Sequence, residues 1–280
     1  MDFFRKVTAM EYKGQRALVT GASSGIGAVF ARELARRGAD LVLVARSEGK
    51  LAALAQELSA SYGVAAHVAA ADLAKPSAAA ELAESLRARD LPIDILVNNA
   101  GFGLFAPVDE ADPAVLADMV RVNVEALVDL TRVYLPGMLE ADRGAIINVG
   151  STAGFQPVPY MAVYGATKAF VLSFTEALWA ETRGTGVRVT ALCPGATNTG
   201  FFDVAGEDAV VGHRITPERV VQAAFRALDR RSSTVVTGGL ESWMLTNSSR
   251  LAPRQLVARM AERTMRPKNR GRQADKAPTK

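Results

Sequence analysis

Cysteine is nearly absent from this 280-residue chain: Cys193 stands alone, which excludes an internal disulfide and a cysteine-built metal cluster. Histidine is almost as scarce. His67 and His213 sit in no metal-ligand spacing; His67 reads as strand packing and His213 as a surface residue, neither with a chemical role. No apolar run approaches the ~18 residues of a membrane-spanning helix, so none is expected. The first eleven residues place Phe3-Phe4 beside Arg5 and Lys6 without an apolar core region, so no secretory signal is expected. Charge is modest at 22% and apolar residues make up 49%, a balance that builds a substantial core and does not describe a disordered chain. Cys193, following Ala191-Leu192, reads as buried and not nucleophilic.

Net charge is unevenly distributed. Residues 250–280 hold ten basic and two acidic side chains, a local +8, whereas the preceding 249 residues hold 23 basic and 27 acidic ones. The division expected is one domain over 1–249 and a basic appendage over 250–280.

Along the first part, short β-rich runs alternate with long Ala/Leu/Arg-rich stretches. Strands are expected over 16–20, 41–45, 64–70, 93–97, 144–149, 187–192 and 234–237. Helices are expected over about 26–38, 48–60, 76–89, 112–135, 161–184 and 216–229. Near-continuous apolar strands such as Leu41-Val42-Leu43-Val44 are buried on both faces, the pattern of a parallel sheet. The alternation predicts an α/β fold, a Rossmann-type doubly wound parallel sheet of about seven strands flanked by helices.

Two motifs carry chemistry. Thr20-Gly21-Ala22-Ser23-Ser24-Gly25-Ile26-Gly27 lies between the first strand and the first helix. Glycines there let the backbone approach a pyrophosphate, and the helix N-terminus offers free N–H groups and positive potential. Its Gly-x-x-x-Gly-x-Gly spacing differs from the general Gly-x-Gly-x-x-Gly fingerprint. The second motif is Tyr164 with Lys168, four residues apart and so on one face of a helix. An ammonium beside a phenol is expected to lower the tyrosine pKa toward neutrality and make it a proton donor or acceptor.

With these motifs the sequence resembles the short-chain dehydrogenase/reductase family in its non-extended branch, and is similar to NADP-dependent ketone and 3-oxoacyl reductases. The resemblance runs over roughly residues 14–240. Its motifs keep the family's order: Asp72-Leu73, then Asn98-Asn99-Ala100-Gly101, Asn123, Ser151 thirteen residues before Tyr164, Pro194-Gly195, and Thr199. The resemblance implies a catalytic set of Asn123, Ser151, Tyr164 and Lys168. Ser151 would polarise the substrate carbonyl, Tyr164 deliver the proton, Lys168 hold the nicotinamide ribose, and Asn123 bind a water that links Lys168 to solvent. It implies cofactor contacts from Gly21, Ser23, Ser24, Gly25, Ile26 and Gly27, from Asp72 and Leu73 at the adenine, and from Asn99, Ala100 and Gly101. Tyr164, Lys168, Pro194 and Gly195 belong to the same surface, with Thr199 at the carboxamide and Asn99 helping to fix the sheet. Gly150 departs from the family, which often has a second serine there.

An NAD enzyme places a carboxylate at the end of the second strand. Here Ala45 stands there, followed by Arg46, which offers a 2′-phosphate a charge-assisted fork. NADP(H) is therefore the expected cofactor, and by family analogy reduction the favoured direction. Phe102, Phe105, Phe155, Val158, Tyr160, Phe201, Phe202 and Val204 are the candidates for the substrate pocket. Together they favour a hydrophobic ketone or aldehyde, and no arginine before Arg214 offers a carboxylate anchor on the loop that holds Asp203, Glu207 and Asp208.

Residues 253–265 space Leu256, Val257, Met260 and Met265 among arginines, compatible with an amphipathic helix, followed by a polar tail over 267–280 expected to be mobile. The helix can pack on the body or a sister subunit, or attach to an anionic membrane surface. Nucleic acid is not expected as a partner, since no aromatic platform accompanies the charge. The reading is thus a cytoplasmic NADP(H)-dependent oxidoreductase, with peripheral contact to the inner face of a membrane through 250–280 as its variant. By family analogy it forms a homodimer or homotetramer through the fourth and fifth long helices. The alternatives are a non-catalytic redox sensor, which would be expected to have lost Tyr164 or Lys168, and a tail-mediated interaction protein.

Overall fold

A computed structural model describes residues 9–206, 214–239, Thr246 and 253–266; of Asp203 and Val204 only the backbone is described. The expectations for Glu207, Asp208, His213 and the 267–280 tail fall outside these residues. Seven strands, β1 (Arg16–Thr20), β2 (Asp40–Ala45), β3 (Ala66–Ala70), β4 (Ile95–Asn98), β5 (Gly144–Val149), β6 (Val187–Cys193) and β7 (Thr234–Val236), form one sheet. Its order is β3-β2-β1-β4-β5-β6-β7, and every pairing is parallel. The strand order reverses between β1 and β4, which opens a crevice at the carboxyl ends of the strands.

Alternation along each strand divides the core in two. Ala17, Val19, Leu41, Leu43, Ile95, Val97, Ala145 and Ile147 face one layer, which takes Phe30 and Leu34 of α1 (Gly25–Arg36), Leu51 and Leu58 of α2 (Glu48–Tyr62) and Phe225 of α8 (Pro217–Asp229). Leu18, Val42, Val44, Leu96, Ile146 and Val189 face the other, against α3 (Ala78–Ala88), α5 (Ala126–Glu140) and α6 (Ala162–Glu181) through Leu86, Leu130, Met138 and Leu178. A Leu or Phe buried this way contributes about 1.5–3 kcal/mol, so the helices are held by their apolar faces more than by intrinsic propensity.

The expected helix over 112–135 is three segments: α4 (Pro113–Val120), a π-helical turn at Arg121–Glu125, and α5. Asp112 caps α4 by accepting a hydrogen bond from the Ala114 N–H at 2.8 Å, with Pro113 in the first turn. α5 continues past Pro136 to Glu140. An interior proline costs about 3 kcal/mol, and the burial of Met138 against the sheet offsets much of that. Two further short elements are α7 (Phe201–Ala205) and α9 (Arg254–Met265). Among the described residues no helix is long and apolar enough to cross a membrane.

Candidate active site

At the carboxyl end of β1, Thr20 joins the glycine turn to the turn after β4. Its hydroxyl accepts the N–H groups of Asn99 and Ala100, both at 2.9 Å, and Asn99 Nδ2 donates to the Thr20 carbonyl at 2.9 Å. This close stitching is why glycine is needed: a Cβ on Gly21, which has φ +64°, would lie 2.8 Å from Asn99 Nδ2. A Cβ on Gly27 would collide with the Gly21 carbonyl oxygen, so Gly27 serves the packing of α1 on the turn. Asn98 next door points into the core, donating to Asn148 Oδ1 at 2.9 Å and Thr131 Oγ1 at 3.2 Å, while Asn148 donates to Thr175 Oγ1 at 3.0 Å. The sheet-fixing role expected of Asn99 is therefore divided: Asn98 ties β4 to β5, and Asn99 ties β4 to the glycine turn.

Ser151 leaves β5 and caps the 3₁₀ turn Thr152–Phe155, its Oγ accepting the Ala153 N–H at 3.1 Å. That turn lies so close to α6 that a Cβ on Gly154 would sit 2.6 Å from the Lys168 carbonyl oxygen. α6 presents Tyr164 in its first turn and Lys168 one turn on. Lys168 Nζ donates to the Val149 carbonyl at 2.8 Å and lies 5.8 Å from the centre of the Tyr164 ring. Asn123, in the π-helical turn, is almost wholly enclosed. Its Oδ1 accepts the Phe102 N–H, and its Nδ2 donates to the Phe102 carbonyl and to Thr167 Oγ1, at 3.0–3.1 Å. Both its side-chain N–H bonds are thereby committed. The point where a Cβ of Gly101 would stand is 2.9 Å from Asn123 Oδ1 and 3.4 Å from Lys168 Nζ.

Burial overturns one expectation about the pair. Tyr164 and Lys168 are 8% and 5% exposed. Loss of solvation pushes the phenol up to about 12, against a smaller lowering by the Ser151 hydroxyl, and pulls the amine down to about 8. In this chain Lys168 does not bring Tyr164 toward neutrality; the medium raises the phenol, and the amine is the group brought near physiological pH. Cys193 below them is buried, as expected, and its thiol is raised to about 12 by the same cause.

These residues line one cleft of about 860 Å³ along the carboxyl ends of the strands. All the predicted site residues reach its wall except Gly27 and Asn123, which stand behind it. Of the expected pocket residues, Phe102, Val158, Phe201 and Phe202 line the cleft, and Phe201 packs 5.4 Å from the Tyr164 ring. Phe155 does not: it turns toward Leu172, Ala191 and Val236 behind β6. Phe105 and Tyr160 pack on each other at 5.8 Å, outside the lining. Sequence reasoning missed Lys50, one turn beyond Arg46 at the cleft mouth, and Met161 and Met265 at the carbonyl end. A basic residue at the start of the second helix was a signal available for Lys50; nothing local marked Met265.

The cradle fits a dinucleotide: tight glycines where a pyrophosphate would approach, a helix N-terminus aimed at it, and two cations at the far end. A doubly wound parallel sheet with this crevice is a dinucleotide-binding α/β protein. The short chain dehydrogenase family model matches residues 15–209. The chain belongs to the short-chain dehydrogenase/reductase family and is an NAD(P)-dependent oxidoreductase. It is 36% identical over 227 residues to a very-long-chain 3-oxoacyl-CoA reductase of Anas platyrhynchos, covering 79% of this chain and 71% of the relative. A short-chain dehydrogenase from Sphingobium yanoikuyae, solved in complex with NADPH, superposes with a TM-score of 0.76 at 37% identity, over 85% of this chain and 94% of that one. A 7beta-hydroxysteroid dehydrogenase superposes with a TM-score of 0.81 at 29% identity, over 90% and 98% of the two chains.

Proposed function

We propose that this chain is an NADP(H)-dependent carbonyl reductase, interconverting hydrophobic ketones or aldehydes and their alcohols. The observation that carries the reading is the convergence of Ser151, Tyr164 and Lys168 on one end of a cleft whose other end bears Arg46 and Lys50. NADPH, when bound, supplies the hydride. The turn from Gly21 to Ile26 would take the pyrophosphate, Arg46 and Lys50 would hold the 2′-phosphate, and Asp72 and Leu73 would border the adenine. Asn99, Ala100, Gly101, Pro194, Gly195 and Thr199 would hold the nicotinamide half.

Ser151 Oγ donates to the substrate carbonyl and fixes its oxygen beside Tyr164. The phenol, raised to about 12, is fully protonated at neutral pH and gives its proton to that oxygen as negative charge develops. Lys168, cationic below about 8, stabilises the phenolate left behind, and burial strengthens that attraction. Asn123 fixes the Phe102 loop and the Thr167 turn of α6, and would hold the water that returns the proton. An apolar lining of Phe102, Val158, Met161, Phe201 and Phe202 favours substrates without charge.

The same reading has the chain cytoplasmic, with residues 1–249 carrying the catalytic machinery, and homo-oligomeric. Val133 on α5 and Phe170 on α6 are each 41% exposed, apolar groups suited to a second copy of the same face. On α9, Leu256 and Met260 stand exposed beside Arg259 and Arg263, a stripe suited to an anionic membrane; co-sedimentation with anionic liposomes, with and without residues 250–280, checks that contact. For the activity itself, the test is NADPH oxidation over a panel of hydrophobic ketones, aldehydes and 3-oxoacyl thioesters, with NADH in parallel. Turnover with several apolar carbonyls and tighter binding of NADPH are expected. No turnover with any of them, or a preference for NADH, would sink the reading.

A further inference from the structure

α9 lies against the catalytic body through one side. Val257, Ala258, Ala261, Glu262 and Met265 are half-buried or buried, at helical spacing, while Leu256, Arg259, Met260 and Arg263 are exposed. Met265, in the last turn, is 8% exposed and packs in the same apolar cluster as Tyr164, Met161, Phe202 and Val158. It also lines the cleft, at the end where the carbonyl would sit. A second contact fastens the helix. Tyr160 Oη donates to Glu262 Oε1 at 3.2 Å across 102 residues of sequence, and Arg266 holds the same carboxylate at 2.8 Å. Tyr160 is itself fixed: its carbonyl accepts the Ala106 N–H at 2.8 Å, its ring packs on Phe105, and it stands just before the turn that opens α6. The segment that presents Tyr164 and the segment that presents Met265 are therefore joined through the Tyr160 hydroxyl.

We propose that α9 is the outer wall of the substrate pocket, that Met265 sets the size of group accepted beside the carbonyl, and that the Tyr160–Glu262 bond holds this wall in place. The inference rests on the carbonyl-reductase reading and narrows it. An unbranched thioether adapts to apolar groups of varied shape, so the wild-type wall admits a family of hydrophobic carbonyls and not a single one. Removing or enlarging that side chain changes pocket volume where the substrate ends, with NADPH bound elsewhere in the cleft. A change of this size in an apolar pocket shifts discrimination about tenfold.

The test uses the full chain and a graded series of aryl and alkyl ketones, from small to bulky. Met265→Ala should raise the ratio of kcat/KM for bulky over small members about tenfold, and Met265→Trp should lower it by a similar factor. Tyr160→Phe should raise KM for bulky ketones severalfold with kcat nearly unchanged, and Glu262→Gln, which keeps an acceptor, should raise it less. Binding of the same series by titration calorimetry gives the answer without turnover. Size profiles of the Met265 variants that coincide with wild type, in both turnover and binding, would overturn the proposal while leaving the reductase reading intact. Wild-type chain that reduces no carbonyl yet shows the Met265-dependent binding profile would do the reverse.

Discussion

The two ends of the cleft are built by different means. The cofactor end is main chain pinned by two polar side chains: Thr20 Oγ1 accepts the Asn99 and Ala100 N–H groups, Asn99 Nδ2 donates to the Thr20 and Gly21 carbonyls, all at 2.9–3.3 Å, and no room is left for a Cβ at Gly21 or Gly27. The carbonyl end is made of side chains, Phe102, Met161, Phe201, Phe202 and Met265, brought from separate loops and helices and held by packing. Hydrogen bonds onto main-chain groups fix one geometry, whereas flexible apolar side chains accept substitution and repacking. One end holds a single geometry, and the other can be retuned without disturbing it.

Separating those ends by mutation should give the largest effect at the seam between them. Tyr164→Phe keeps the ring that packs on Phe201 and removes the proton it would donate. Loss of a general acid costs about 10²–10⁴-fold, so carbonyl reduction should fall by about that factor while NADPH affinity, followed by the fluorescence of the bound cofactor, stays within about twofold of wild type, a minor change on that scale. A variant that kept most of its turnover would remove Tyr164 from the mechanism. Next in size is the far end. On the proposed reading, replacing both Arg46 and Lys50 with Ala would remove two charge-assisted contacts to the 2′-phosphate. Both side chains are exposed, so solvent screening reduces each to about 1 kcal/mol, and NADPH should bind roughly thirtyfold more weakly. NADH, which lacks the phosphate, should be almost unaffected. Equal losses for both cofactors would break the contrast.

What could be read in the sequence follows the same division. The glycine turn, the strand alternation and the Tyr164–Lys168 spacing are local patterns, and a local pattern is visible without a fold. Gly150 and Asp72 could be placed because they adjoin such patterns. Met265 could not, because amphipathic spacing shows that α9 has an apolar side but not what that side meets. Phe155 and Phe201 are equally aromatic, and which of them reaches the cleft depends on the direction in which β5 and β6 release their loops. The π-helical turn around Asn123 shifts one residue's bond pattern and has no sequence signal of its own. The pKa of the pair was misjudged for a related reason: spacing identifies neighbours, but burial is a property of the whole packed molecule.

Burial also makes the carbonyl end respond to pH in two opposed ways. Lys168 has a folded pKa of about 8, below the 10.5 of an ordinary lysine. As pH rises through 8 the ammonium is lost, and kcat/KM for reduction should fall by about tenfold per unit where this charge is essential. Tyr164, near 12, does not contribute to that limb. Stability should move the other way. Above pH 8 the unfolded chain holds the lysine proton that the folded chain has released, so this residue makes stability rise with pH, by about 1.4 kcal/mol per unit at most. The window closes near pH 9, where Cys193, raised from 9.0 to about 12, begins to lower stability as the unfolded thiol ionises. Activity falling and denaturation midpoint rising between pH 8 and 9, with both trends absent in Lys168→Met, would tie them to one amine. Parallel trends would separate them.

The smallest effect sharpens the comparison most, because it lies where backbone and side-chain construction meet. Gly150 precedes Ser151, at the position where the family resemblance leads to the expectation of a second serine. Here a Cβ at position 150 would stand 3.0 Å from Cys193 Sγ, with the Leu192 carbonyl at 3.5 Å. Cys193 is fully buried in β6, so the sulfur has little freedom to withdraw. Gly150→Ser should therefore destabilise the protein by about 1 kcal/mol through overpacking, with Ser151 still in reach of the cleft. Cys193→Ala removes the obstructing sulfur and by itself leaves a small cavity. If glycine is present because of the thiol, the double variant should be more stable than the sum of the two single changes predicts, by about 0.5–1 kcal/mol of coupling in denaturant titrations. Strict additivity would mean that the strain at position 150 comes from the backbone instead, and that the rigid construction of the cofactor end extends as far as the catalytic serine.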